Sequence, residues 1–284
     1  MKELVIISGK GGTGKTSITA SFAALAQERV VVADCDVDAP NLHYLLQPRK
    51  REEHEFTASV RAVVDSARCS HCGACVEHCR FVAISADPRV DPLACEGCGF
   101  CELVCPEGAV SMHPAPSGHW YSSDTRYGPM IHARLNVGEG NSGKLVSRVK
   151  EEARRLAERT DAQLVLVDGP PGTGCPVIAS LSGASCVMVV TEPSVSGLHD
   201  LVRVLDLCRH FDVPAAVCVN RHDIHPESTR RIEAVCGGSV SGYIPHDPDV
   251  TRALMQGKTV VEFSRGPAAE SLRRLWREML DIME

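Results

Sequence analysis

Two strings of residues in this chain are arranged for chemistry. The first is Gly9-Lys10-Gly11-Gly12-Thr13-Gly14-Lys15-Thr16, which fits the pattern G-x-x-x-x-G-K-[ST]. Its glycines let backbone N–H groups curl around phosphate oxygens, and a helix starting at the second lysine adds a favourable dipole. Lys15 then reaches the β- and γ-phosphates of a nucleotide, and the Thr16 hydroxyl ligates Mg²⁺. The second is a repeated cysteine string. Cys69, Cys72, Cys75 and Cys79 have the same spacing as Cys95, Cys98, Cys101 and Cys105, and Pro106 follows the second copy. Three thiolates spaced by two residues can wrap an iron–sulfur cubane, whose fourth ligand must come from elsewhere. A zinc ribbon also uses C-x2-C pairs, but zinc explains two complete four-cysteine runs in tandem poorly.

These strings need elements to hold them. Leu4 to Ser8 reads as a buried strand that starts at about Glu3, and Lys15 to about Glu28 reads as a helix. The glycine string therefore lies in a strand–loop–helix context. Val30 to Ala33 is a second strand, closing on Asp34-Cys35-Asp36. Leu164 to Val167, Cys186 to Val190 and Ala215 to Val219 are further short apolar runs, separated later in the chain by helical stretches such as Gly197 to Phe211. Short apolar strands alternating with helices predict an α/β fold with a mostly parallel sheet covered on both faces. The last helix, about Ala268 to Ile282, puts Leu272, Leu275, Trp276 and Met279 on one stripe and mixes Arg with Glu outside. That predicts packing on the sheet, since membrane binding would favour a basic outer face.

The cysteine strings break this rhythm. Residues 60–113 read as an inserted small α+β module, with 1–59 and 114–284 forming the nucleotide domain. Pro114 to Gly128, rich in Pro, Gly and Ser, reads as a linker, and Met130 to Leu135 as the next strand.

Composition narrows the function classes. A formal net charge of −6 gives no global basic field to recruit nucleic acid or anionic lipid. Arg49-Lys50-Arg51 is followed at once by acidic residues and reads as a solvated loop. No apolar run approaches the ~20 residues of a membrane span, and the early glycine string leaves no room for a leader. A cytoplasmic protein without stable membrane association is expected. There are fourteen cysteines, and in a reducing compartment clustered cysteines mean metal or redox chemistry rather than disulfides. Cys186, Cys208 and Cys218 read as core residues and Cys35 as pointing into the sheet, while Cys236 stays ambiguous. His71 and His78 lie inside the first cysteine string and read as surface residues.

The string Lys10 to Thr16 resembles the deviant phosphate loop of the MinD/ParA/Mrp and nitrogenase-iron-protein superfamily. The cysteine strings resemble those of bacterial two-cluster ferredoxins. As a whole the chain is similar to MinD/Mrp-superfamily ATPases with an inserted ferredoxin domain. The resemblance implies ATP, Mg²⁺ and two [4Fe–4S] clusters. It implies that Lys10 reaches a partner's phosphates in an ATP-dependent homodimer, and that Asp36 in switch I orients or activates the attacking water. Leu164-Val165-Leu166-Val167-Asp168-Gly169 looks like Walker B entering switch II, with Asp168 near the Mg²⁺ shell. Asn220 looks like the base-recognition asparagine. Asn220-Arg221-His222-Asp223 also approximates the guanine-binding N-K-x-D, which leaves GTP as the minority reading.

In the ferredoxin fold the fourth cysteine of each run ligates the other cluster. The implied sets are Cys69, Cys72, Cys75 and Cys105, and Cys95, Cys98, Cys101 and Cys79. Arg80 stands where the first run would carry Pro. Cys175 has the offset of the nitrogenase iron protein's switch-II cysteine, but no cysteine lies between Cys105 and Asp168 to supply a bridging cluster's other ligands. The leading expectation is an ATP-hydrolysing iron–sulfur protein that serves an unidentified redox or metallocluster acceptor. A MinD/ParA-like spatial organiser with sensing clusters, and an amidotransferase-like ATP enzyme, are the alternatives.

Overall fold

The apolar runs become the strands of a nine-stranded sheet among the described residues, which in this computed structural model are 1–26, 30–238 and 240–284. The strands are β1 (Lys2–Ser8), β2 (Val30–Asp34), β3 (Arg49–Val64), β4 (Val110–Thr125), β5 (Gly128–Leu135), β6 (Leu164–Pro171), β7 (Cys186–Thr191), β8 (Ala215–Asn220) and β9 (Gly242–Ile244). The helices of the first half are α1 (Lys15–Ala26), α2 (His43–Leu46), α3 (Ala74–Glu77), α4 (Phe100–Leu103) and α5 (Ser142–Thr160). Those of the second half are α6 (Cys175–Leu181), α7 (Val195–His210), α8 (Pro226–Val235), α9 (Pro248–Met255), α10 (Val260–Phe263) and α11 (Pro267–Met283). The expected end of the first helix, near Glu28, lies outside the described residues.

The chain divides into two units: Met1–Glu53 with Trp120–Arg134 and Ser142–Glu284, and His54–His119 with Leu135–Asn141. In the larger unit β5, β2, β6, β1, β7, β8 and β9 follow one another, and the pairings of β1, β2, β7 and β8 with their neighbours are all parallel. Alternate strand residues are buried on both faces. Leu4, Ile6, Val30, Val32, Leu166 and Met188 join Ile18, Phe22, Leu272, Trp276 and Met279 in one core. Val5, Val31, Val165 and Val187 are equally buried, on the side where α5, α6 and α7 pack on the strands. Strand periodicity of two makes both layers from one sequence run. The α11 stripe is buried as expected, with the Phe22 and Trp276 rings 5.0 Å apart.

The smaller unit carries all eight clustered cysteines. Each string turns through a left-handed glycine, Gly73 or Gly99, into a single helical turn, α3 or α4. Ala62, Cys75, Ile84 and Val110 form its core, with Met112 and several of the other cysteines packed around them.

Several sequence expectations are overturned. Arg49-Lys50-Arg51, expected in a solvated loop, opens strand β3, and most of the expected linker, residues 114–125 of 114–128, lies in strand β4. The reason is visible in the alternation: Ala115 and Ser117 are buried, while Pro114 and Pro116 are exposed. Proline lacks an N–H, yet here the Ser117 hydroxyl accepts from the backbone N–H groups of Ala58 and Ser59, and Asn136 donates to the Pro116 and Ser117 carbonyls. The cysteine-bearing unit also reaches further than residues 60–113, because β3 and β4 run on past the cysteine strings and Leu135–Asn141 belongs to it.

Candidate functional site

The glycine string spans the gap between β1 and α1, at the carboxyl end of parallel strands where α/β folds bind ligands. Gly14 has φ +96°, and a Cβ there would lie 2.5 Å from Asn220 Nδ2, so only glycine fits. Asn220, at the end of β8, donates from Nδ2 to the Thr13 carbonyl at 2.8 Å and so braces the loop. Lys15 is buried, with Nζ 3.8 Å from Asp36. Thr16 donates to one Asp168 oxygen at 2.8 Å, and Thr19, one turn on, donates to the other at 3.0 Å.

Parallel register sets Asp34 beside Asp168, and β1 is the next strand on the other side of β6. Burial, with the Asp168 charge next in weight, pushes the Asp34 carboxyl well above the usual carboxylate range. Burial also raises Asp36 and Asp168, and the Lys15 ammonium opposes it in both. Asp34 Oδ2 is buried without a hydrogen-bond partner among the described residues. Three buried carboxylates, only two of them opposed by an ammonium, are a donor set that a divalent cation beside a triphosphate would neutralise, so these residues fit Mg²⁺.

Lys10 is half-exposed. Its ammonium lies 3.7 Å from Glu192 and 3.4 Å from the Ser196 hydroxyl, and Glu192 also faces Arg221 at 3.7 Å. A cavity beside the loop is lined by Gly14, Ile18, Asn220, Arg221, Pro245 and His246, among others. Asp223 accepts from the His246 backbone N–H at 2.7 Å, which gives it a local structural partner.

In the cysteine-bearing unit, one cavity is lined by Cys69, Cys72, Cys75 and Cys105, and a second by Cys79, Cys95, Cys98 and Cys101. The fourth cysteine of each string has crossed to the other string's cavity. Backbone N–H groups of Ala83 and Ala109 donate to the sulfurs of Cys79 (3.3 Å) and Cys105 (3.2 Å), the two that cross. Val64 and Val110 line the first cavity, and Ile84 and Met112 the second. Burial raises the Cys75 and Cys101 thiols. Among the described residues no three His, Cys, Asp or Glu side chains converge on a point as a single metal ion requires. A four-iron cluster asks instead for a cavity edged by four thiolates, with N–H donors to sulfur, and both sets fit that group. His71 lines the first cavity and His78 the second, and both are exposed.

Residues 4–260 match the CobQ/CobB/MinD/ParA nucleotide binding domain. The chain belongs to that family. The uncharacterized protein MJ0578 of Methanocaldococcus jannaschii is 31% identical over 99% of this chain and 97% of its own length. The cytosolic Fe-S cluster assembly factor nubp2 of Xenopus tropicalis is 21% identical over 98% of this chain and 92% of its own. The septum site-determining protein MinD of Pyrococcus horikoshii, solved with Mg-ADP, superposes with a TM-score of 0.62 at 17% identity, covering all of this chain and 98% of the other. The larger unit is thus a MinD/ParA-family α/β fold. Among the described residues no helix is long and apolar enough to cross a membrane.

Within this MinD/ParA-family site, reading the sequence missed three residues. Thr19 repeats the Thr16 contact, and its spacing on the helix could have signalled it. Asp34 is the last residue of β2, with Asp36 two residues beyond it. Glu192, between Lys10 and Arg221, had no local signal, because the fold alone brings β7's end to the loop. The scattered cysteines are quiet: burial pushes Cys208 up to about 11 and Cys218 to about 12, and Cys186 and Cys35 are raised too. Cys175 is exposed at the first position of α6.

Proposed function

We propose that the chain is an ATP-binding and ATP-hydrolysing iron–sulfur protein. Its nucleotide-dependent switching governs electron transfer, or metallocluster transfer, to a protein partner. The observation that carries the reading is the pair of cavities, each edged by a full crossed set of four cysteines, in a chain whose larger unit is a MinD/ParA-family nucleotide fold. Two [4Fe–4S] clusters would supply one-electron chemistry there.

The chain's own residues have separate tasks. Gly9 to Gly14 wrap the phosphates with backbone N–H groups, and Lys15 counters their charge. Thr16 and the carboxylates around it hold Mg²⁺, and Asp36 orients the attacking water. Asn220 recognises the base, read as adenine. Lys10 serves an ATP-dependent homodimer. The nubp2 name agrees with cluster handling in the same family. The spatial-organiser reading keeps the clusters only as sensors.

The test is anaerobic purification followed by metal and sulfide analysis. About eight irons and about eight acid-labile sulfides per chain are expected from two cubanes. Stoichiometric zinc in fresh protein would sink the assignment. Calorimetry with Mg²⁺ should show ATP binding, and tight GTP binding without ATP binding would overturn the base assignment.

A further inference from the structure

The cysteine-bearing unit includes one stretch remote from its strings. Leu135–Asn141 belongs to that unit, and the very next residue, Ser142, starts α5 in the nucleotide unit. Glu139 anchors the stretch. One of its carboxylate oxygens accepts from the Ser59 hydroxyl at 2.6 Å, the other pairs with Arg61, and the side chain is only 5% exposed. Asn136 adds its backbone and side-chain bonds to Ser117 and Pro116.

Helix α5, directly after this stretch, is stapled to the nucleotide switch. Gly143 lies so close to Cys175, the first residue after the connection 172–174, that an added Cβ would meet Cys175 atoms at 3.3 Å. Two turns further on, the buried Lys150 ammonium donates to the Ser180 carbonyl and, at 2.8 Å, to the Ser182 carbonyl at the end of α6. Helix α5 therefore holds α6 at both ends. Its own first residue is reached through a stretch fixed by Glu139.

We infer that Glu139 is a positioning residue for switch II: through α5 it ties the setting of α6 and Cys175 to the cysteine-bearing unit. This rests on the reading that the unit holds clusters and the loop binds ATP. A shift of α6 when the γ-phosphate arrives moves α5, and α5 pulls on the stretch that Glu139 holds. Interlocked helices transmit such shifts because packed interfaces do not deform continuously. Linkage then requires that cluster oxidation state and nucleotide affinity respond to each other equally.

The test uses anaerobic holoprotein with Mg²⁺ and adenylyl-imidodiphosphate. In the wild type, affinity should differ about 5-fold or more between dithionite-reduced and oxidised protein. In Glu139→Gln the ratio should fall to about 1, with iron content and basal hydrolysis unchanged, and Ser59→Ala should give an intermediate ratio. A merely structural role would cost iron or stability and leave the ratio alone. Should Glu139→Gln lose iron, Ser59→Ala carries the comparison. A Glu139→Gln protein that keeps the wild-type ratio overturns the inference and leaves the functional reading standing. A wild-type ratio of 1 defeats the coupled reading instead. Hydrogen exchange then decides the inference independently. The analogue should change exchange at both 169–178 and 135–143 in the wild type, and at 169–178 alone in Glu139→Gln. A wild-type change confined to 169–178 overturns it.

Discussion

At the residue scale the nucleotide site is a problem of charge. Asp34, Asp36 and Asp168 are buried, one buried ammonium, Lys15, acts on Asp36 and Asp168, and burial raises all three carboxyls. A cation joining the arrangement would neutralise it, which is the task proposed for Mg²⁺ beside the triphosphate. Lys15→Ala removes the only ammonium paired with Asp36 among the described residues, and backbone amides alone cannot offset a triphosphate. Calorimetry should find no productive Mg·ATP binding in that variant. Asp36→Ala removes the carboxylate proposed to orient the water, so it should bind Mg·ATP and hydrolyse it ~100-fold or more slower. Equal loss of binding in both variants would contradict this division of labour. The cysteine sets give a sharper test of the crossing. Cys105→Ala should cost the cluster held with Cys69, Cys72 and Cys75, leaving about four irons per chain with the other set intact. Iron loss centred on Cys95, Cys98 and Cys101 would mean that the strings do not cross.

At the element scale, the parallel sheet was legible because apolar strands alternating with helices have few other solutions, and the glycine string announced its own strand–loop–helix setting. The crossed cysteine sets were legible through the resemblance that their spacing carries. What misled was β4. Pro114, Pro116 and Gly118 signal a loop, and the tertiary contact of Ser117, whose hydroxyl accepts two N–H groups of β3, helps hold a strand there. Glu139 was illegible for a similar reason, since its partners Ser59 and Arg61 lie far away in sequence. Strand β5 hides another dependence. His132 is largely buried, 3.0 Å from the Ser123 hydroxyl and stacked on Tyr121 at 5.0 Å. Burial chiefly, helped by His43 and Lys50, lowers it to about 4. An unfolded histidine titrates near 6.5, so between about 6.5 and 4 the unfolded chain binds a proton that the folded chain refuses. The neutral ring's contribution is therefore fully present above about pH 6.5 and is lost as pH falls towards 4. It amounts to on the order of 3 kcal/mol at full strength. Urea unfolding at about pH 7.5 and about pH 5 should show the wild type losing more stability than His132→Asn over that interval. Identical losses would mean that His132 is not buried neutral.

At the scale of the whole molecule, the remaining question is what Lys10 does when its own loop already has Lys15. Its side chain is 49% exposed, and its contacts are a 3.7 Å approach to Glu192 and a 3.4 Å approach to Ser196. An exposed pair of that kind is worth at most ~1 kcal/mol. Lys10 is thus free to leave Glu192 for a stronger field, and a second copy's triphosphate is such a field. A two-fold dimer would use the arrangement twice, each Lys10 serving the other copy's nucleotide. We expect sedimentation of the Asp36→Ala protein in Mg·ATP to show a dimer, because binding without hydrolysis holds the associated state. Lys10→Ala placed in that background should sediment as monomer while keeping its nucleotide affinity within ~3-fold, since the loop amides, Lys15 and Thr16 are untouched. Glu192→Gln should tighten the dimer, but by no more than about 30-fold, the limit set by the two pairs, one in each copy, that it releases. Specific ATPase rate should rise with protein concentration in the wild type and stay flat in Lys10→Ala. Monomer in Mg·ATP for both the wild type and Asp36→Ala would remove the dimer, and with it the reason for a second lysine in the loop.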